Sequence, residues 1–226
     1  MNRKEIKREA KEFAFNNKWN IWKPMLVFAL IIMVLELLIT LLGIAPKIEL
    51  IEDPILGTAS IKFGPPSPLF IVIYIIYCVA IIPIITGFVW YILCLVRGQK
   101  IELKEMFTKY LKFTFKIFCV VFVIGLLAFL WSLLFVIPGI IFAYKMAMSQ
   151  YILADEVSED TKVKAVMNKS KEMMNGHKMD LFVFQLSFIG WFFLVGLTFG
   201  IAAIWVMPYY LTANTMYYEK LKALKN

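Results

Sequence analysis

The stretch SKEMMNGHKMDLF, residues 170–182, decides how we interpret the rest of the chain. A basic segment ends at Asn175-Gly176, a pair that favours a break, and an apolar run begins directly afterwards. Similar transitions follow Lys11-Glu12-Phe13 and begin at Lys104-Glu105-Met106-Phe107. Each basic segment leads into two apolar segments. We therefore predict one membrane domain over residues 1–226, built from three repeat units, 1–96, 97–154 and 155–226.

The composition is that of a membrane protein. Of the 226 residues, 61% are hydrophobic and 18% are charged, and the mean hydropathy is +0.76. Water cannot solvate that much apolar surface in a soluble domain. The net charge of +8 could indicate nucleic-acid binding, but the charges lie in short segments beside apolar runs and no recognition motif accompanies them. Nucleic acid is therefore excluded as a partner.

The apolar runs are long enough for six membrane-spanning helices. About 20 apolar residues cross a hydrocarbon core of about 30 Å. The six predicted spans are residues 21–44, 69–96, 113–137, 140–154, 181–199 and 200–218. Residues 46–68, rich in proline and glycine, are predicted to form a loop. Helix breaks are expected at Pro138, Gly139, Gly200 and Pro208.

The basic segments show helical spacing of their apolar residues. Residues 2–17, 101–112 and 159–174 are predicted to form amphipathic helices on the inner membrane surface, with their apolar faces toward lipid. The fold class is therefore all-α: a polytopic membrane protein of six transmembrane helices in three hairpins, each preceded by an interfacial amphipathic helix. The repeat is also indicated by Trp131 eight residues before Gly139 and Trp191 nine residues before Gly200.

The distribution of basic residues predicts the orientation. Residues 1–23, 97–116, 155–180 and 219–226 together hold 21 of the 24 Lys and Arg. Because cytoplasmic segments carry the excess of Lys and Arg, both termini are expected in the cytoplasm. The expected location is the cell membrane.

Two charged residues lie within predicted spans. Glu36 lies in the first and Lys145 in the fourth, and an ionised group in the bilayer is costly without a partner or water. They are the candidate residues of a pathway, and their predicted depths coincide closely enough for an ion pair. The alternatives are a structural pair that sets helix register, or a lysine that reaches the membrane surface.

Other reactive residues give weaker signals. His177 is the only histidine and is interpreted as a helix-end residue. Asp155 with Glu156 could hold a cation, but the pair is interpreted as the solvated start of a helix. Cys78, Cys94 and Cys119 are interpreted as packing residues. The sequence contains none of the metalloprotease, phosphate-loop or nucleophile-elbow motifs, so we predict no catalytic residue, no metal site and no cofactor.

Five blocks in order carry a resemblance to a known family: FVIPGII (residues 135–141), YILAD (151–155), SKEMMNGHK (170–178), LSFIGW (186–191) and Pro208-Tyr209. They resemble the bacterial "domain of unknown function nine-seven-five" integral membrane proteins, over at least residues 97–220. Residues 6–10 and 17–19 also fit. That family is distantly similar to the membrane domain of some glycerophosphodiester phosphodiesterases. The resemblance implies a six-span membrane protein of unassigned biochemistry and carries over no catalytic residue.

Three functions are compatible with these features. The first is a non-enzymatic membrane protein that binds lipid or an amphiphilic peptide, or assists another membrane protein. The second is a small transporter or channel with a pathway at Glu36 and Lys145. The third is a lipid-modifying enzyme, which only the distant phosphodiesterase similarity suggests.

Overall fold

The computed structural model describes residues 2–44, 48–52 and 59–225. These residues form two compact units. One contains residues 1–22 and 82–226, and we call it the large unit; the other contains residues 23–81, and we call it the small unit. Each is described by itself.

The described chain is mainly helical. Its helices are α1 (Arg3–Asn16), α2 (Lys18–Leu41), α3 (Pro68–Val96), α4 (Leu103–Thr108), α5 (Thr114–Leu134), α6 (Val136–Lys145), α7 (Ser149–Glu156), α8 (Val163–Met173), α9 (Lys178–Leu186), α10 (Ile189–Leu197) and α11 (Ala203–Lys225), with a short 3-10 helix at Leu111–Phe113. Two strands, β1 (Ile48–Glu52) and β2 (Ala59–Phe63), lie between α2 and α3.

The small unit holds most of α2, the first half of α3 and the two strands. The strands pair antiparallel, with Ile48 opposite Phe63 and Glu52 opposite Ala59. The prediction of a loop over residues 46–68 was therefore wrong for these two segments. Both are short runs with β-branched residues, and backbone pairing in a hairpin satisfies their N–H and C=O groups. Residues 45–47 and 53–58 of the predicted loop lie outside the described residues.

The first two basic segments begin helices whose apolar faces pack against protein. In α1, Ile6, Ala10 and Ala14 are buried at a spacing of four residues, and α1 packs along α11. Met106 of α4 is also fully buried. A Cβ at Gly87 of α3 would lie 1.9 Å from the Met106 carbonyl oxygen, so these backbones touch. The prediction that these faces point toward lipid was wrong, because neighbouring helices cover them.

The third basic segment behaves in the same way. Helix α8 buries Val166, Ser170 and Met173 and packs against α5, α7 and α11. The core of the large unit lies among these helices. Its largest fully buried side chains include Tyr110, Phe184, Phe188, Tyr217 and Tyr218.

The two long apolar helices agree with the predicted spans, since α2 and α3 cover residues 18–41 and 68–96. The later predicted spans are divided. Residues 140–154 fall partly in α6 and partly in α7, and residues 181–199 fall partly in α9 and partly in α10. Turns at residues 146–148 and 187–188 separate these pairs. Apolar composition alone could not show these turns.

Five segments of the described chain are long and apolar enough to cross a membrane: Lys18–Leu41, Pro68–Val96, Leu103–Leu134, Val136–Glu156 and Lys178–Leu197. Helix α11 is not among them. The chain therefore has the composition and helix lengths of a membrane protein. The count of six crossings and the arrangement in three hairpins stay predictions.

Two helical hairpins project from the core of the large unit. In the first, α6 packs back against α5, and a Cβ at Gly139 would lie 2.7 Å from the Cα of Ser132. In the second, α10 packs against the start of α11, with Trp191 against Tyr209 and Phe192 against Tyr210. Trp131 and Trp191 occupy different places in these hairpins, four and eight residues before the respective turns at Phe135 and Phe199.

Candidate functional site

Five polar side chains meet where α3, α7 and α11 come together, and we call them the Asp155 cluster: Arg97, Asp155, Tyr218, Glu219 and Lys222. Arg97 donates from its two terminal nitrogens to the two Asp155 carboxylate oxygens, at 2.7 and 3.0 Å. Tyr218 Oη donates to Asp155 Oδ2 at 3.1 Å, and Lys222 Nζ donates to the same oxygen. The Asp155 side chain is only 8% exposed. Four hydrogen bonds therefore satisfy a nearly buried carboxylate.

The charges in this cluster stabilise one another. Arg97 also binds Glu219 at 2.7 Å. Its pKa is raised, chiefly by the hydrogen bond to Asp155. Burial by itself would lower the pKa of Lys222, but the hydrogen bond and the charge of Asp155 outweigh burial and raise it. Arg97, Lys222 and Asp155 therefore remain ionised and paired at neutral pH. This arrangement joins α3, α7 and α11. The Asp155 carboxylate is occupied by its hydrogen bonds to Arg97, Tyr218 and Lys222.

Sequence reasoning missed this cluster. Asp155 and Glu156 were interpreted as a solvated helix start, whereas they end α7, and Glu156 pairs with Lys169 of α8. One signal was available: Arg97, Asp155 and Glu219 each follow the end of a predicted span. The charge count predicts that all three ends lie on one side of the membrane.

An aromatic pocket lies between the start of α2 and the first half of α11. It has a volume of about 190 Å³. Its lining residues, which define the aromatic pocket, are Ala14, Phe15, Lys18, Trp19, Trp22, Trp205, Pro208 and Tyr209. Trp22 makes edge-to-face contacts with Trp19 and with Trp205, both with ring centroids 6.3 Å apart. Lys18 provides the only formal charge in this lining.

The rings of the aromatic pocket remain accessible. Trp19 is 60% exposed and Trp205 is 55% exposed. Indole rings of this kind favour the boundary between hydrocarbon and headgroups, because they combine an apolar body with one N–H donor. The contact of Trp22 with Trp205 depends on the packing of α1, which directly precedes α2, along α11.

The candidate pathway residues lie in different units. Glu36 lies in α2, in the small unit, and is exposed. Lys145 is the last residue of α6, in the large unit. Its carbonyl oxygen accepts a hydrogen bond from Ser170 Oγ of α8 at 2.9 Å. The pairing of Glu36 with Lys145 stays a prediction.

Lys145 lines a polar cavity of about 350 Å³ together with Asn168, Lys171, Glu172, Asn175 and Lys178. The predicted depth of Lys145 within a fourth span stays a prediction. The turn at residues 146–148 ends the helix, and the lysine lies beside the polar side chains of α8. These neighbours provide the polar surroundings that a charged group requires.

Of the four predicted helix breaks, Gly200 lies in a turn between two helices, α10 and α11. Its φ is 91°, a conformation that glycine adopts without strain. Pro138 and Gly139 lie inside the first turn of α6, and the break occurs at Phe135, whose backbone is extended. A proline is tolerated in a first helical turn because its missing N–H has no partner there.

Pro208 was also predicted as a break, and this was wrong. It lies inside α11, which continues to Lys225. Pro208 is buried, so packing around it offsets the lost backbone hydrogen bond.

The remaining candidate residues from the sequence are His177 and the three cysteines. His177 precedes α9, as expected of a helix-end residue, with Nδ1 3.5 Å from Asp180. Cys94 is buried, Cys119 is half-buried and Cys78 is exposed. Within residues 2–44, 48–52 and 59–225, no group of three His, Cys, Asp or Glu side chains is placed to hold a metal ion.

Comparison with known proteins identifies a family without an assigned activity. Residues 126–225 match the model of a family described as "Protein of unknown function (DUF975)". No curated protein and no solved structure matches the chain. The matched region contains most of the first short hairpin, all of the second, α7, α8 and most of the Asp155 cluster. Over these residues the chain is similar to the DUF975 family.

Proposed function

We propose that this protein is a non-enzymatic protein of the bacterial cytoplasmic membrane that binds membrane lipid through the aromatic pocket. The observation that supports this function best is the position of Lys18 at a pocket lined otherwise by aromatic and small apolar groups. Such a site suits a molecule with a negative headgroup and an apolar chain. The volume of the aromatic pocket is about 190 Å³. The smallest pockets that enclose a whole drug-sized ligand have a volume of roughly 300 Å³.

The proposed orientation places both termini in the cytoplasm. It rests on the 21 of 24 Lys and Arg in four segments expected on the same side. Six crossings satisfy this orientation, and so does any other even number. The aromatic pocket then lies at the cytoplasmic boundary of the membrane, where anionic headgroups attract basic residues.

The chemistry of the lining explains the preference for an anionic lipid. A phosphate group would bind Lys18 Nζ, while the first methylene groups of the acyl chains would contact Trp22 and Trp205. The ion pairs found among the described residues do not include Lys18. A bound phosphate would therefore add an attraction without breaking one.

Lipid titration tests this proposal. The purified protein in detergent is titrated with dioctanoyl phosphatidylglycerol or dioctanoyl phosphatidylcholine, and bound lipid is counted by native mass spectrometry. We expect Trp205→Leu to weaken phosphatidylglycerol binding about tenfold, or about 1.4 kcal/mol. Lys18→Gln should remove the preference for phosphatidylglycerol over phosphatidylcholine.

Trp131→Leu is the matched control, because Trp131 is 44% exposed but lies in α5, outside the pocket. It should bind phosphatidylglycerol as the unchanged protein does. Equal losses in Trp131→Leu and Trp205→Leu would show that the aromatic pocket is not the lipid site. An amphiphilic peptide, or a segment of another membrane protein, is the alternative occupant if lipid does not bind there.

Transport is a second candidate function, favoured by the polar cavity at Lys145. It predicts solute-dependent flux in proteoliposomes that falls in Lys145→Met and in Glu36→Gln. Unchanged flux in both variants would contradict it. The lipid-modifying enzyme rests on the distant phosphodiesterase similarity alone and is the weakest of the three.

A further inference from the structure

We propose that the two short hairpins enter the bilayer from the cytoplasmic side, end near its centre and return, so that α2 and α3 alone cross it. The first hairpin comprises residues 122–144, from α5 and α6. The second comprises residues 188–209, from α10 and α11. The partner of these apolar surfaces is the cytoplasmic leaflet of the membrane. The inference does not depend on the lipid site proposed above.

The base of the second hairpin lies beside a highly charged helix. Lys7 Nζ of α1 donates to the Ser187 carbonyl oxygen at 3.2 Å and to Ser187 Oγ at 3.0 Å. The same ammonium lies 4.6 Å from the centre of the Phe188 ring. Eight of the 14 residues of α1 are charged, so α1 cannot lie in hydrocarbon. Ser187 therefore marks the level of the membrane surface.

The second hairpin is too short to reach the other side from that level. Helix α10 has nine residues, which extend about 14 Å at 1.5 Å per residue. The hydrocarbon core is about 30 Å thick. The turn at Phe199 and Gly200 consequently reaches about half of that depth.

Polar side chains also surround the base of the first hairpin, as they do the base of the second. Tyr144 Oη donates to Gln185 Oε1 at 3.0 Å, and Gln185 in turn donates to Asn214 Oδ1 at 3.4 Å. Lys145 follows directly, beside Lys171 and Lys178. The amide and hydroxyl groups thus join the bases of both hairpins, and charged residues of α8 lie next to them.

The legs of the first hairpin are also short. Helix α6 has ten residues, which extend about 15 Å. Helix α5 is longer, but Ile117 and Val120 in its first two turns are buried, and α5 packs against the polar helix α8. From Phe122 to Leu134 it extends about 18 Å.

The turns of both hairpins expose large apolar side chains. In the first turn these are Leu133, Leu134, Phe135, Val136 and Ile137, between 64% and 74% exposed. Phe199 in the second turn is 98% exposed. A full crossing would place these side chains in headgroups or water, and each would lose about 1.5–3 kcal/mol relative to burial. At the bilayer centre they contact acyl chains.

A turn within hydrocarbon must satisfy its own backbone N–H groups, and the second turn does so. Every N–H from Thr198 to Ile204 donates within the turn; Gly200 donates to the Val195 carbonyl at 2.8 Å and Ala202 to Thr198 Oγ1 at 3.0 Å. In the first turn Phe135 donates to the Trp131 carbonyl at 3.1 Å, and Pro138 has no N–H to satisfy.

Local thinning of the bilayer is the competing explanation. For legs of about 14–18 Å the bilayer would have to thin by more than 10 Å, at a cost of a fraction of a kcal/mol for each ångström. The apolar turns would still emerge into water. A hairpin that ends in the core avoids both costs.

Site-directed labelling tests the inference. Phe135→Cys and Phe199→Cys are made in the full chain with Cys78, Cys94 and Cys119 replaced by alanine, and the protein is reconstituted in lipid vesicles. A membrane-impermeant maleimide is applied from either side, and a spin label at the same positions reports accessibility to oxygen and to a water-soluble nickel complex. Controls are Gly57→Cys, between α2 and α3, and Lys11→Cys in α1.

We expect no maleimide labelling of positions 135 and 199 from either side of the membrane. Spin labels at both positions should be highly accessible to oxygen and poorly accessible to the nickel complex. Position 57 should label from one side only and position 11 from the opposite side only. Labelling of 135 or 199 from the same side as 57 would overturn the proposal for that hairpin, because it would then cross. Labelling from the same side as 11 would overturn it too, since the turn would lie outside the bilayer.

Discussion

At the scale of single residues, Asp155 has the clearest structural role. It accepts hydrogen bonds from Arg97, which directly follows α3, and from Tyr218 and Lys222 of α11. Its side chain is 8% exposed, so it is nearly buried among its cationic partners. Loss of one partner in a nearly buried ion cluster leaves an uncompensated charge.

We expect Asp155→Asn to destabilise the protein by about 3 kcal/mol, because Arg97 and Lys222 would lose their shared carboxylate. The measurement is Tm in detergent, with denaturant unfolding as a check. Glu159→Gln is the control, since Glu159 is exposed and forms no ion pair among the described residues. A Tm for Asp155→Asn equal to that of the control would contradict a stabilising role for the cluster.

Lys222 adds a pH dependence at alkaline pH. Its pKa in the folded protein is raised above the ordinary 10.5, so its contribution is present below pH 10.5 and is lost as the pH rises through the folded pKa. Lys222→Arg keeps a cation that does not titrate there. From about pH 9 to about pH 11.5, Tm should fall more for the unchanged protein than for Lys222→Arg. An identical decline in both would show that Lys222 does not contribute in this range.

At the scale of elements, turns divide the later apolar runs into separate helices. Phe135 ends α5 with an extended backbone, and α6 returns at once along the same helix. This close return requires a small residue at Gly139, opposite Ser132. The predicted break was three residues away because Pro138-Gly139 resembles a turn, although its role is to begin α6 and to let it approach α5.

We expect Gly139→Ala to lower the free energy of unfolding by about 1–3 kcal/mol, through overpacking. The added Cβ would lie 2.2 Å from Ser132 Oγ and 2.7 Å from Ser132 Cα, and the backbone cannot yield as a flexible side chain would. Gly125→Ala in α5 is the control, because nothing lies within 4 Å of its Cβ. It should be neutral or stabilising by up to about 1 kcal/mol, from helix propensity. Equal Tm values for the two variants would contradict the close approach.

At the scale of the whole molecule, basic residues and apolar helices separate along the chain. The segments that hold 21 of the 24 Lys and Arg surround the apolar runs without interrupting them. An asymmetric charge distribution of this kind sets the orientation during insertion. The orientation is independent of whether the short hairpins cross, because each hairpin returns to its starting side.

We expect both termini in the cytoplasm and the segment between α2 and α3 outside. Alkaline phosphatase fused after Gly57 should be active, and the same enzyme fused after Asn226 should be inactive. Green fluorescent protein fused after Asn226 should fluoresce, which controls for expression of that fusion. An active phosphatase at Asn226 would mean an odd number of crossings and would contradict the orientation.

The sequence by itself determined the membrane class and the two long helices, since these depend on composition and local spacing. Burial of Ile6, Ala10 and Ala14 follows from their spacing as well. What covers these residues was decided by tertiary structure, because a helical periodicity is the same against lipid or against α11. The Asp155 cluster and the contact of Trp22 with Trp205 join residues distant in the chain. Packing alone brings such groups within hydrogen-bonding or ring-contact distance, so no local pattern could specify them.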